Sequence, residues 1–209
     1  MAIQVGGSTV INNSLQLQNI ASLDSTTTAT IGAAAGGATQ LITDYTSLSG
    51  GSTYSFSLTG GYHAYFLHLH DLRHVSTSIC QVRARLTNSS GTAITDNNYL
   101  SHFWKGSSTT TQSNITSFLL EEDLYRADSY TGRFSAGIWI YHPQTSSFPT
   151  TVNYTALNMY FNSINRGVHG ISQRRASEVN NSFYIYCEAS GTAVNWGSGG
   201  TYALWGIDL

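Results

Sequence analysis

The chain predicts an all-β protein, an antiparallel β-sandwich of jelly-roll-like type with an extended N-terminal arm. Three observations carry that expectation. From Tyr54 onward, apolar and polar residues alternate in short runs, the period of strands with one buried face. Clusters of Gly, Asn, Asp and Ser separate these runs at regular spacing, as they do in sandwiches and jelly rolls. Helical periodicity is absent over any useful length, and only residues 119–126 read as a single helical turn.

The first segment differs from the rest. Residues 3–5 and 8–11 are short β-type runs split by Gly6-Gly7, followed by an Asn-Asn-Ser turn and the alternating strip Leu15-Gln16-Leu17-Gln18. The opening does not read as a signal peptide, because no basic residue precedes it and no continuous apolar stretch follows. So short and polar a segment has no core of its own. Ile3, Val5, Val10, Ile11, Leu15, Leu17 and Ile20 are therefore expected to make assembly contacts. The Gly/Ala run at 32–37 suits either close approach of several chains around an axis or a flexible linker. Ser49-Gly50-Gly51-Ser52 marks the expected boundary, giving an anchoring and trimerisation arm over 1–49 and a sandwich over 50–209.

Within the sandwich, strands are predicted at 54–58, 62–75, 79–86, 99–104, 115–120, 134–141, 154–161, 183–189 and 202–207. Residues 79–86 show the logic: Cys80, Val82, Ala84 and Leu86 share one face, and Gln81, Arg83 and Arg85 share the other. Cys80 and Cys187 both fall in such alternating runs and read as buried free thiols, in keeping with production in a reducing cytoplasm.

Composition narrows the function. Charged residues are 10% of the 209, aromatics 12% with 13 Tyr, and Lys105 is the only lysine. A net charge of −2 offers no basic field for nucleic acid. No apolar stretch approaches the ~20 residues that span a bilayer, so no membrane insertion is expected. Phosphate-loop and nucleophile-elbow motifs are missing, and the expectation is a protein that is not an enzyme.

Two groups of residues carry the candidate chemistry. His68, His70 and His74 fall on one face of a continuous strand, where an H-x-H pair suits a metal or an acidic ligand. With Ser76-Thr77 as a two-residue turn, His68 faces Arg85 and His70 faces Arg83, which favours an acidic ligand over a cation. The first reading of these histidines is surface or subunit-interface residues. No cofactor is expected, the second reading being a metal at His68 and His70, six imidazoles in a trimer. The other group is aromatic: Trp104, Phe148 and Trp196 sit beside turns, where rings stack on sugars. Trp139, inside Ile138-Trp139-Ile140, reads as a core or interface ring. Glu121-Glu122-Asp123 reads as a solvated turn.

Two stretches carry a resemblance. The opening Ile3-Gln4-Val5-Gly6-Gly7-Ser8-Thr9-Val10-Ile11 resembles the start of tailed-bacteriophage fibre-like virion proteins, particularly of marine and cyanobacterial phages. The end, Gly200-Thr201-Tyr202-Ala203-Leu204-Trp205-Gly206-Ile207, is similar to terminal strands of phage fibre domains, with Trp205 in place of the usual Tyr. The resemblance implies a virion structural protein made in the host cytoplasm. Its form would be a short tail fibre, or a fibre-tip or baseplate protein, that is homotrimeric and attaches to host-surface glycan. The arm would meet other tail, baseplate or capsid proteins. A second reading is a capsid decoration or head-fibre protein that stabilises the shell. A third, from a loose similarity of His68-Leu69-His70 to the first cupin motif, is a cupin-like metal-dependent enzyme; His74 stands where that motif has glutamate.

Overall fold

A computed structural model describes residues 3–5, 8–11, 39–124, 133–159 and 165–208. The chain divides into two units, residues 1–38 and 39–209. In the first, β1 (Ile3–Val5) pairs antiparallel with β2 (Ser8–Ile11), so Ile3, Val5, Val10 and Ile11 lie on a small ribbon. Leu15, Leu17, Ile20 and the run 32–37 lie outside the described residues.

The second unit is an antiparallel β-sandwich of two sheets, with no helix among the described residues. Its strands are β3 (Thr39–Ser47), β4 (Thr53–Ser57), β5 (Ala64–Arg73), β6 (Cys80–Thr87), β7 (Tyr99–Lys105), β8 (Ser108–Ile115), β9 (Phe118–Leu124), β10 (Arg133–Tyr141), β11 (Thr151–Met159), β12 (Asn165–Arg174), β13 (Ser182–Ala189), β14 (Thr192–Val194) and β15 (Thr201–Ile207). The larger sheet runs β3-β15-β5-β10-β11-β12-β7-β8. The smaller runs β14-β13-β6-β9, with β4 on the same side of β13 as β14. Successive strands repeatedly change sheet, so most neighbours within a sheet are distant in sequence.

The core lies between the sheets and follows the alternation. Tyr65, Leu67 and Leu69 of β5 and Phe134, Ala136, Ile138 and Ile140 of β10 face Val82, Ala84 and Leu86 of β6 and Phe183 and Ile185 of β13. Tyr65, Tyr99 and Tyr154 join this interior because their hydroxyls find backbone partners. Tyr154 on β11 donates to the Leu119 carbonyl on β9 at 2.7 Å, and Tyr65 donates to Leu58 at 2.6 Å. Gly170 leaves room for the first of these: a Cβ there would lie 2.4 Å from the Tyr154 ring.

Four expectations need correction. The sandwich starts at Thr39 and not near residue 50, because β3 pairs with β15 along its length. Deleting residues 1–38 is accordingly expected to leave the sandwich folded. Extending the deletion through Ser47 bares β15 and should cost about 3 kcal/mol or more, at ~1 kcal/mol net per ladder hydrogen bond; urea denaturation of the two truncations checks this.

Residues 119–124 belong to strand β9 and form no helical turn. Glu121, within that strand, is fully buried where Lys105 of the facing sheet reaches it at 3.3 Å and Asp123 at 2.5 Å, so the acidic cluster is an inter-sheet ion pair and not a solvated turn. Ser76-Thr77 is no hairpin turn either. It connects β5 in one sheet to β6 in the other.

Candidate functional site

The histidines separate. Asp71 adopts a left-handed conformation (φ 57°), and the β5–β10 register shifts between Phe134 and Ala136. This β-bulge places one extra residue in β5 and reverses the side-chain phase beyond it. His68 and His70 stay on the outer face, whereas Leu72 and His74 turn inward; His74 is buried against Cys80. Ser135 Oγ accepts from the Asp71 amide at 3.0 Å, and the Asp71 carboxylate holds Arg73 and Arg133 at 2.9 and 2.8 Å. The three-histidine face is thus lost to one bulge.

The arginines expected beside the histidines lie on the other sheet. Arg83 pairs with Glu188 at 2.5 Å, and Arg85 lies over the Tyr186 ring at 4.8 Å. His68 instead has Gly137 and Ala203 as its neighbours across the ladder. Burial first, and then the nearby His70, lowers the His68 pKa, which favours the neutral ring. Among the described residues no group of three or more His, Cys, Asp or Glu is arranged to hold a metal ion.

The aromatic candidates also divide. Trp196 is 2% exposed, stacked on Tyr54 with centroids 5.8 Å apart, and bonded through its backbone to Gly51. It is a core residue and not a ligand-contacting ring. Phe148 is exposed in the β10–β11 connection, its ring 5.4 Å from that of His142. Trp104 is 37% exposed on β7. Trp139, expected in a core or interface, is equally exposed at 37%, because the odd-numbered positions of β10 face outward.

Register brings these outer residues together. One row across the larger sheet reads Trp205, Phe66, Trp139, Asn153, Ile171, His102 and Thr111; the next reads Ala203, His68, Gly137, Thr155, His169, Trp104 and Thr109. Neither row contains Asp, Glu, Lys or Arg. Phe66 sits 4.9 Å from Trp139 and 5.5 Å from Trp205, and Trp139 stacks on Tyr141 at 6.1 Å. At the other end Trp104 contacts His102 at 4.5 Å and His169 at 6.1 Å.

Hydroxyls fix the imidazoles. Tyr45 meets His68 Nδ1 at 3.0 Å, Thr155 meets His169 Nδ1 at 2.8 Å, and Thr111 bonds His102. Three strand spacings, about 14 Å, separate β10 from β7, and Trp104 lies one row further along than Trp139. The result is an uncharged surface of ring faces interspersed with hydroxyl, amide and imidazole groups. The sequence signal for Phe66 was its shared parity with His68 and His70; for Trp205 and His169 only the assembled register supplies it.

A half-open groove of about 430 Å³ runs between β3 and β4, floored by Phe56, Tyr202 and Leu204 and rimmed by Gln40, Ser55 and Thr59. Among the described residues no helix is long and apolar enough to cross a membrane. No protein-family model matches the chain, and neither a curated protein nor a solved structure matches it.

Proposed function

We propose that this chain is a bacteriophage virion structural protein, a short tail-fibre or fibre-tip component that attaches to host-surface glycan through the outer face of its larger sheet. The observation that carries the reading is the pair of uncharged rows. Ring faces stack on sugar C–H surfaces while neighbouring hydroxyls, amides and imidazoles exchange hydrogen bonds with sugar hydroxyls. Such a surface acts by binding and not by catalysis. Weak single contacts become firm when copies act together, and a homotrimer anchored to other virion proteins by the N-terminal arm supplies that multiplicity.

The strand order supports placing the sandwich among jelly rolls. On this reading β3-β15-β5-β10 opposes β4-β13-β6-β9, and the pairs β7–β8 and β11–β12 are insertions that widen one sheet. The widening matters for function, because it is the inserted strands that add Trp104, His102, His169 and Ile171 to the surface.

The test is binding of the purified full chain to immobilised host-envelope polysaccharide, alongside Trp104→Ala and Trp139→Ala. Each substitution is expected to weaken binding about tenfold, equivalent to ~1.4 kcal/mol, with an unchanged Tm. Undiminished binding by both variants, or no binding by the parent, would sink the glycan reading. Immunogold labelling of particles locates the protein separately: label at the tail supports attachment, and label over the head favours shell decoration.

A further inference from the structure

Beneath the exposed 75–79 loop, three buried side chains converge away from the outer face. Cys80 opens β6, and Cys187 lies on the adjacent strand β13 opposite Val82, so the two thiols are diagonal neighbours on the inner face of the smaller sheet. Both are free and fully buried. His74, turned inward by the Asp71 bulge, brings Nδ1 to 3.4 Å from Cys80 Sγ.

The environment makes the two sulfurs unequal. Interaction with the Cys187 thiol outweighs burial and, together with His74, holds the Cys80 thiol well below its ordinary range. Burial first, and then Cys80 itself, pushes Cys187 well above it. The imidazole of His74 at 3.4 Å, on the Cys80 side of the pair, sets Cys80 up as the nucleophile.

We propose that Cys80 and Cys187 form a peroxide-responsive dithiol that closes into an intramolecular disulfide, with His74 as the positioning and proton-accepting group for Cys80. In the first step the Cys80 sulfur attacks hydrogen peroxide. The O–O bond breaks, the sulfur is oxidised to the sulfenic acid, and the departing hydroxide takes the proton held by His74 to leave as water. In the second step the Cys187 sulfur attacks the sulfenic sulfur. The S–O bond breaks, the S–S bond forms, and the released hydroxide takes the Cys187 proton as a second water. Two thiols and one peroxide give one disulfide and two waters.

Access and geometry agree with a small oxidant. Cys80 directly follows exposed Ile79 at the end of the loop, so only a short local opening separates its sulfur from solvent, a path suited to an oxidant as small as peroxide. Diagonal cross-strand positions lie ~7–8 Å apart, slightly beyond the reach of a disulfide, so the strand end must close by about 1 Å. Cys80 is the first residue of β6, and its pairing with β9 already shifts register between Cys80 and Val82, so this end can adjust without disturbing the sheet centre.

The experiment treats the folded full chain with hydrogen peroxide, alkylates the remaining thiols after denaturation, and maps the peptides by mass spectrometry. The expected product is a reductant-reversible Cys80–Cys187 cross-link within one chain. In Cys187→Ser, a dimedone-reactive sulfenic acid is expected at Cys80. His74→Asn, with folding checked by circular dichroism, is expected to slow closure about tenfold or more. Persistence of both thiols, cross-links only between chains, or closure equally fast in urea-unfolded protein would overturn the proposal.

Discussion

Replacing Trp196 with alanine is expected to destabilise the folded chain by about 3–5 kcal/mol, the usual cost of truncating a large buried ring. The indole stacks on Tyr54, while the Trp196 backbone ties the chain after β14 to Gly51 and bridges His74. Removing the ring empties a site that three separated segments of chain converge on, and such a site collapses poorly. Its Nε1 has no hydrogen-bond partner among the described residues, so Trp196→Phe gives up little polar interaction and should cost well under half as much. For a chain of this size, the alanine variant should melt roughly 10 °C lower. Thermal and urea denaturation check both values. A ring serving a ligand would give the opposite pattern, with normal stability and lost binding.

The second large effect is expected at Arg174. Its guanidinium is 2% exposed, binds both oxygens of Asp96 at 2.6 and 2.8 Å and Glu178 at 2.8 Å, and lies over the Tyr99 ring at 5.0 Å. One side chain thereby fastens the loop before β7 to the segment after β12. Arg174→Ala should cost about 3 kcal/mol, the lower end for breaking a buried pair, since the carboxylates left behind are part-exposed and regain water. Arg174→Lys should recover little of this, because an ammonium cannot replace the planar two-point contact.

The pair also predicts an acid dependence. Burial raises the Asp96 pKa, but the hydrogen bonds and charge of Arg174 outweigh it, and the net shift is downward from 3.8. A carboxyl held lower in the folded than in the unfolded chain contributes stability above its unfolded pKa and loses it as pH falls through the folded value. Wild-type urea midpoints should therefore fall below about pH 4, and Asp96→Asn should flatten that limb. An unchanged limb in Asp96→Asn would remove Asp96 from the acid response.

Strands were legible where one face is buried. The alternation in residues 80–86 and 134–141 reads directly as β6 and β10, because every second side chain must leave water. Edge strands lack that constraint. In β8 a run of Ser and Thr has no buried face to write into sequence, and β3 is exposed on nearly every residue, so it read as part of the arm. Short-range pattern equally misplaced Trp196, whose Gly and Asn neighbours look like a loop although the ring is enclosed by distant strands.

The sequence by itself determined the all-β class, the pairing of apolar positions into faces, the burial of both cysteines and the scarcity of charge. Each follows from local periodicity or composition, which one strand suffices to express. Only the tertiary structure decided which face of the larger sheet meets water, and so gathered Phe66, Trp139, Trp205 and Trp104 on one surface. It alone decided that a bulge at Asp71 sends His74 inward to Cys80 while His68 and His70 remain outside. The physical reason is that strands alternating between two sheets acquire their neighbours from remote parts of the chain, and one inserted residue reverses parity for everything after it.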